Sequence, residues 1–346
     1  MGSTLDFSER RGDPAPFVLR PSETVEYQPL RAAGLGPKLL ACVDDSPQAA
    51  LVTAHAFAVA PSLGLDVTLA RVIPMTHDLF SPADPVQWQI RRRRQTERLN
   101  RLAERGGMDS TAQSILLSGA PADELARWSR ENGVTLMALL RSCDSNGNRL
   151  GSTAQRLLDK AGVSLLLVPP GEDEGSVQYR RILVPLDGSA RAESVLPVAI
   201  RIAHQHRAEL ILAHVVQRTE RPEIMQSPQV SELEFEIDRH NGRHARAYLS
   251  SLLTRSRDDR LNVRTVVLGP GDPRSLLSSL AREQDADLII LSSHGQTGMD
   301  DVSCGSVTDY LVSHTCVPSL VVRPNLVCSF PGETAGPARA SATPRD

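Results

Sequence analysis

The sequence predicts an α/β protein: two tandem, doubly wound, five-stranded parallel-sheet sandwiches packed together as an intramolecular pseudo-dimer. Internal repetition is the first observation behind it. Lys38-Leu-Leu-Ala-Cys-Val-Asp44 and Arg181-Ile-Leu-Val-Pro-Leu-Asp187 open two stretches offset by 143 residues. The offset holds without a gap through Ser46 and Ser189 to Val67–Ile73 and Leu210–Val216. A repeat of domain length indicates duplication of one folding unit, because solenoid repeats are far shorter. Patterning is the second observation: short Val/Ile/Leu runs without polar alternation, as in strands buried on both faces, are separated by longer helical patterns. The third is an aromatic content of only 3%, which leaves the cores to Leu, Val, Ile and Ala.

Taken in order, residues 1–36 carry prolines, glycines and charges without periodicity and read as a flexible tail. Residues 37–170 form the first unit. The polar, glycine-bounded run Gly171-Glu-Asp-Glu-Gly-Ser176 lies in the linker, 171–178, and residues 179–325 form the second unit. Within it the strands are expected at 181–186, 209–216, 263–268, 287–292 and 318–323, with helices near 190–206, 229–257, 272–284 and 304–315. Residues 326–346 end in a Gly/Pro/Ala/Ser-rich stretch and read as a second flexible tail. Alternating strands and helices imply right-handed parallel crossovers. The last apolar run of each unit, Val163–Val168 and Val317–Val322, would finish at a sheet edge that needs covering. Pairing these two edges across a pseudo-twofold axis covers both.

Composition narrows the function. The 346 residues are 40% hydrophobic and 23% charged, with a formal net charge of −3, which gives no overall field for nucleic acid or anionic membrane. No apolar run approaches the ~18 residues of a membrane span, and the first residues lack the apolar centre of a secretion signal, so a cytoplasmic location is expected. Cys42, Cys143, Cys304, Cys316 and Cys328 are odd in number and lack CxxC spacing, which argues against a disulfide framework or a zinc site.

In an open parallel sheet the ligand crevice lies beyond the carboxyl ends of the strands, where strand order reverses. Three motifs of the second unit fall at such ends. Pro185-Leu186-Asp187-Gly-Ser189 offers a carboxylate that can accept from ribose hydroxyls or an adenine amino group, and it serves equally as a helix N-cap. His214-Val215-Val216 can set backbone against the edge of a purine, or be a plain strand end. Ser292-Ser-His294-Gly295 is followed, after nine intervening residues, by Gly305-Ser306-Val307. Gly295 permits a close backbone approach or a positive φ, and Gly305-Ser306 opens a helix whose free N–H groups and dipole favour phosphate. No lysine follows the glycine as in a Walker A loop, so binding without efficient hydrolysis is expected and no catalytic residue is assigned. A turn with a helix cap would read the same way.

These residues resemble the universal stress protein family, here in tandem form, over about residues 37–170 and 179–325. The resemblance implies an adenine-nucleotide alpha-hydrolase-like fold and ATP, carried with Mg2+, in the second unit. It implies that Asp187 and Val215 hold adenosine and that Gly295, Gly305, Ser306 and Val307 line the phosphates. Ser292 stands where the family's first motif glycine would be. In the first unit Asp44, Val72, Gly151 and Ser152 persist, but Cys143 aligns with Gly295 and the loop is two residues shorter, so that site is expected to be degenerate. Arg141 and Arg149 could still draw an anion there.

Other features have plainer readings. Arg91 to Arg94 beside Trp88 read as a solvated helix face more than a nucleic-acid patch, and His240 with His244 lack a third metal ligand. Cys304 precedes the phosphate turn, where a helix N-terminus can lower a thiol pKa, although an inert small side chain fits as well. The expected function is a nucleotide-responsive stress or signalling protein, not an enzyme, with an adenine nucleotide and a protein partner or second copy as its contacts. The alternative is a nucleotide-independent interaction scaffold on the same fold.

Overall fold

The computed structural model describes residues 36–74, 85–104, 112–141, 150–160, 162–172, 175–217, 228–255, 261–294, 304–324 and 326. Residues 1–35 and 327–346 of the expected tails, with Gly295, Cys143, Arg149 and Cys328, lie outside the described residues, whereas Leu326, expected to open the second tail, is buried against the core. The first unit runs β1 (Lys38–Cys42), α1 (Ala49–Leu63), β2 (Asp66–Ile73), α2 (Pro85–Glu104), β3 (Gln113–Ser118), α3 (Pro121–Glu131), β4 (Val134–Leu140), α4 (Ser152–Lys160) and β5 (Ser164–Val168). The second runs β6 (Arg181–Pro185), α5 (Ala190–Glu193), α6 (Leu196–His206), β7 (Glu209–Gln217), α7 (Pro228–Arg255), β8 (Val263–Gly271), α8 (Pro273–Glu283), β9 (Leu288–Ser292), α9 (Ser306–His314) and β10 (Ser319–Val322).

Two expectations change in detail. The helix expected over 190–206 breaks at Ser194-Val195, because Pro197 sits in the first turn of a new helix, where it lacks only an N–H that would be unpaired anyway. The strand expected to end at 268 continues to Gly271, because β7 extends to Gln217 and keeps supplying partners.

All ten strands form one sheet in the order β3-β2-β1-β4-β5-β10-β9-β6-β7-β8. Every pairing is parallel except the central one, where β5 and β10 run antiparallel with Leu166 opposite Leu320. The two apolar edges cover each other, as their sequences require, and all the β5 residues and all the β10 residues are buried. Successive strand residues face opposite layers. Leu39 and Ala41 join a core with α1, α2, α6 and α7, while Leu40 joins the core with α3, α4, α8 and α9. Both cores run across the dyad without a break.

Polar groups reinforce the join. On one face Tyr179, just before β6, is hydrogen-bonded through its hydroxyl to His55 Nδ1 of α1 at 2.8 Å. The Tyr179 N–H donates to His206 Nδ1 at 3.3 Å, so Nε2 carries the ring proton and donates to Ala58 O of α1 at 2.9 Å. On the other face Arg141, at the end of β4, donates to the carbonyls of Val312 (3.1 Å) and Thr315 at the C-terminus of α9. Arg323, after β10, donates to the Leu158 carbonyl of α4. Leu158 and Val312 are both the seventh residue of their helices, so each copy caps the same turn of the other's last helix. A guanidinium suits that end, where orphan carbonyls and the dipole are both negative. Arg141 is only 6% exposed and its Nη1 donates across the dyad, so the expectation that it draws an anion into the first copy's loop is corrected.

Burial pushes His55 down to about 4 and lowers His206 as well. A depressed histidine stabilises the fold fully above its ordinary value of about 6.5, and that stability is lost as pH falls toward the folded value. Denaturant unfolding at about pH 7.5 and about pH 5 should therefore show a loss of about 2 kcal/mol from His55 alone. His55→Gln should flatten that dependence.

Candidate functional site

In the second copy strand order reverses between β6 and β9: the chain moves from β6 outward to β7 and β8, then returns to place β9 on the other side. The loops after β6 and β9 therefore flank the crevice that such a reversal opens. The structure brings most of the expected residues to these two strand ends and to the end of neighbouring β7.

After β6 the chain turns sharply. Leu186 N–H donates to Ala213 O at 2.8 Å, its side chain is buried, and its carbonyl accepts from His214 Nδ1 at 2.8 Å. Half-buried Asp187 accepts from the Ser189 N–H at 2.9 Å, an Asx turn closed over Gly188 at φ +86°. Ser189 in turn caps α5 by accepting from Ala192 N–H at 3.1 Å. The Asp187 carboxylate thus has the local turn role that its sequence allows, at the mouth of the crevice. Val215 is buried and pairs with Leu268 of β8. Beside it Gly269 has φ +101°, and a Cβ there would lie 2.5 Å from Val216 O, so the end of β8 comes close against β7 only because that residue is glycine.

The turn after β9 is tied to α9. Thr308 Oγ1 donates to Ser292 O at 2.9 Å, and Gly305 N–H donates to Ser293 O at 2.8 Å. Ser292 Oγ donates to His294 O at 2.6 Å, so the residue in the place of the family's first glycine turns its hydroxyl back onto its own loop. His294 Nδ1 lies 3.1 Å from Ser293 Oγ. Gly305 is the N-cap of α9, with φ −67° and ψ 152° and no side-chain cap. Any residue can adopt that backbone, so glycine's contribution here is open access to the N–H groups of Ser306, Val307 and Thr308, which have no carbonyl four residues back in the helix. The arrangement offers N–H donors and a positive dipole end at the crevice, the chemistry that receives phosphate.

The first copy repeats the framework with different loops. Exposed Asp44 accepts from Ser46 N–H at 3.0 Å, half-buried Val72 lies on β2, and Gly151 precedes α4, whose first residue Ser152 is exposed. Asp45, however, replaces Gly188 and is gripped by Arg71, by Gln95 Nε2 at 3.2 Å and by Arg98 Nη1 at 3.3 Å. Burial raises the Asp45 carboxyl, but the Arg71 guanidinium more than offsets this and holds it below its usual value. Arg71 aligns with His214 at the same offset, so an arginine clamp stands where the second copy has an imidazole. Comparing the two copies at Asp45/Gly188 and Arg71/His214 would have found this in the sequence.

Cys304 is 8% exposed, and burial pushes its thiol up to about 12, which fits the inert small side chain read from the sequence and not an activated thiol at the helix start. The His240 and His244 rings are tilted at 45° with centroids 4.3 Å apart, and among the described residues no group of three His, Cys, Asp or Glu could hold a metal. No described helix is long and apolar enough to cross a membrane.

Fold and crevice together define a tandem of doubly wound α/β units with a phosphate-type helix start at the switch point of the second. The universal stress protein family profile matches residues 37–169 and 178–323, and the chain belongs to that family. Universal stress protein MJ0577 of Methanocaldococcus jannaschii is 27% identical over 158 residues, covering 43% of this chain and 97% of that protein. A universal stress protein structure from Archaeoglobus fulgidus covers 83% of this chain and 96% of its own at 17% identity and a TM-score of 0.57, a likeness of fold. Another universal stress protein, described in complex with cAMP, is 23% identical and covers 42% of this chain and 98% of its own, with a TM-score of 0.28.

Native-state alkylation followed by site-resolved mass spectrometry should modify exposed Cys316 readily. Buried Cys304 should react only after unfolding, and half-buried Cys42, whose thiol burial raises likewise to about 12, should react more slowly than Cys316. Fast labelling of Cys304 in the folded protein would contradict the buried geometry.

Proposed function

We propose that this protein is a nucleotide-responsive stress or signalling protein that binds ATP, with Mg2+, in its second copy and signals by ligand occupancy, without a hydrolytic step. The observation that carries the reading is the uncapped N-terminus of α9 at the switch point, tied through Thr308 to β9, the strand next to the one that leads into the Asp187 turn. In this reading Asp187 accepts from the ribose, Pro185, Leu186 and Val215 border the adenine, and Gly305, Ser306 and Val307 meet the phosphates. Ser292, His294 and Gly295 shape the intervening turn. The first copy does not bind, because the clamp of Arg71 and Arg98 on Asp45 fixes the loop that would have to receive adenosine. Occupancy biases the loop by RT ln(1 + [L]/Kd), about 2.7 kcal/mol at a hundredfold excess, which is sufficient to switch a surface that a partner reads.

Calorimetric titration of nucleotide-stripped protein with a panel of ATP, ADP, AMP and cAMP tests the ligand class, and one nucleotide per chain is expected. Gly305→Asp fits the N-cap backbone and supplies the carboxylate cap that α9 lacks, so the fold should be kept or slightly stabilised. The same carboxylate stands where phosphate would bind, and affinity should fall at least about a hundredfold, or about 2.7 kcal/mol. Unchanged affinity would remove the site assignment. Absence of binding by the intact protein would favour the scaffold reading.

A further inference from the structure

The helices α2 and α7 begin at Pro85 and Pro228, positions related by the same 143-residue offset as the first strands. Their opening segments are opposite in charge. Residues 85–95 hold four arginines and no acidic residue, whereas residues 228–238 hold four acidic residues and no basic one. Arg91 to Arg94 and Glu236 are exposed, and Asp238 is half-exposed. Arg93 pairs with Glu97 at 3.1 Å and Arg92 lies over the Trp88 ring at 5.2 Å, which leaves Arg91 and Arg94 without an ion pair among the described residues.

The same segments carry every large hydrophobic side chain that the described residues expose: Val86 (63%), Trp88 (43%), Ile90 (48%), Phe235 (68%) and Ile237 (42%). Trp88 lies 11 residues before buried Leu99 and Phe235 lies 14 before buried Leu249, about three and four helical turns. Both rings therefore continue the stripe that packs each helix on the body, past the point where the body covers it. Apolar side chains ringed by charge on a soluble surface mark an interaction site.

Within one chain the two segments cannot pair with each other. Their layer runs α2, α1, α6, α7 across the sheet, because α2 covers β2 and β3, α1 packs on α6, and α7 covers β7 and β8. Three helix spacings of about 8–10 Å separate them, far beyond a side-chain pair. A twofold axis running parallel to this layer and just outside it, however, places α2 of one chain over α7 of a second, and α7 over α2, so one self-complementary contact forms twice. We propose that this face is the interface between two copies of the chain, with α2 of each seated on α7 of the other. Apolar side chains supply the contact, and the opposite charges set register and reject the parallel alternative of α2 on α2. The assembly does not depend on nucleotide binding.

The test exchanges the charges in the full chain. Arg91→Glu with Arg94→Glu takes residues 85–95 from four net positive charges to none, and Glu236→Arg with Asp238→Arg takes residues 228–238 from four net negative charges to none. By light scattering and sedimentation, the wild-type chain should be a dimer that weakens as salt rises. Each double variant alone should dimerise at least about tenfold more weakly. Mixing the two should form a one-to-one heterodimer tighter than either variant's own dimer, because the unaltered α7 of the first meets the unaltered α2 of the second and the exchanged charges at 91, 94, 236 and 238 again face opposite partners. Circular dichroism and melting of each variant show that the fold is intact. A wild-type chain that stays monomeric, double variants that dimerise like wild type, or a mixture that forms no heterodimer would each overturn the proposal. Assembly that requires added oligonucleotide and is lost only in the arginine variant would overturn it too, by assigning the basic helix to nucleic acid.

Discussion

The structure depends on the antiparallel pairing of β5 with β10. Each copy on its own would end in an apolar edge, Ser164–Val168 or Ser319–Val322, with unpaired backbone groups on one side. Such an edge is an aggregation template unless it is covered. Pairing the two edges satisfies both with one set of bonds and makes a continuous ten-stranded sheet. The cores then merge on both faces, and the polar groups at the seam follow from it. Tyr179 and His206 lock α1 onto the second copy, while Arg141 and Arg323 cap equivalent turns of α9 and α4 from across the axis. Removing one of these arginines would leave carbonyls of a buried helix end without their donor, whereas a surface ion pair such as Arg93 with Glu97 contributes little.

That seam also bears on the site. Helix α9 presents its N-terminus to the crevice of the second copy and its C-terminus to Arg141 of the first. The helix that would receive phosphate is therefore braced at its far end by the other copy, and Arg141 directly precedes the loop that diverges between the copies. Duplication has let the two crevices separate in chemistry while the framework stayed the same. Gly188 and His214 leave the turn after β6 compact, with an imidazole bonded to the Leu186 carbonyl, whereas Asp45, Arg71 and Arg98 fill the equivalent turn after β1 with a charged network.

The framework was legible because it is periodic. Apolar runs without alternation gave the strands, their repetition gave the duplication, and two exposed apolar edges left little choice but to pair. The expected strand ends placed Asp187, Val215, Ser292 and Gly305 near one crevice, as the topology does. Side-chain bonding was less legible, because it depends on which partners the fold brings together. Arg141 reads as a loop cation in sequence, yet its acceptors lie 171 and 174 residues away. Cys304 reads as a thiol at a helix start, but burial dominates over the dipole and raises its pKa. The break of the helix near Ser194 was visible in Pro197, and the Asp45 clamp was visible in the register of the two copies, where Asp45 stands against a glycine that needs φ +86°.

If the seam makes the two copies one body, they should not unfold separately. Equilibrium unfolding of the full chain in urea, followed by circular dichroism and by exchange of backbone amides in β5 and in β10, tests this most directly. The account predicts one transition, coincident for both probes, with a slope that scales with the surface of the whole chain. Two resolved transitions, with one copy keeping its strands after the other has melted, would contradict it.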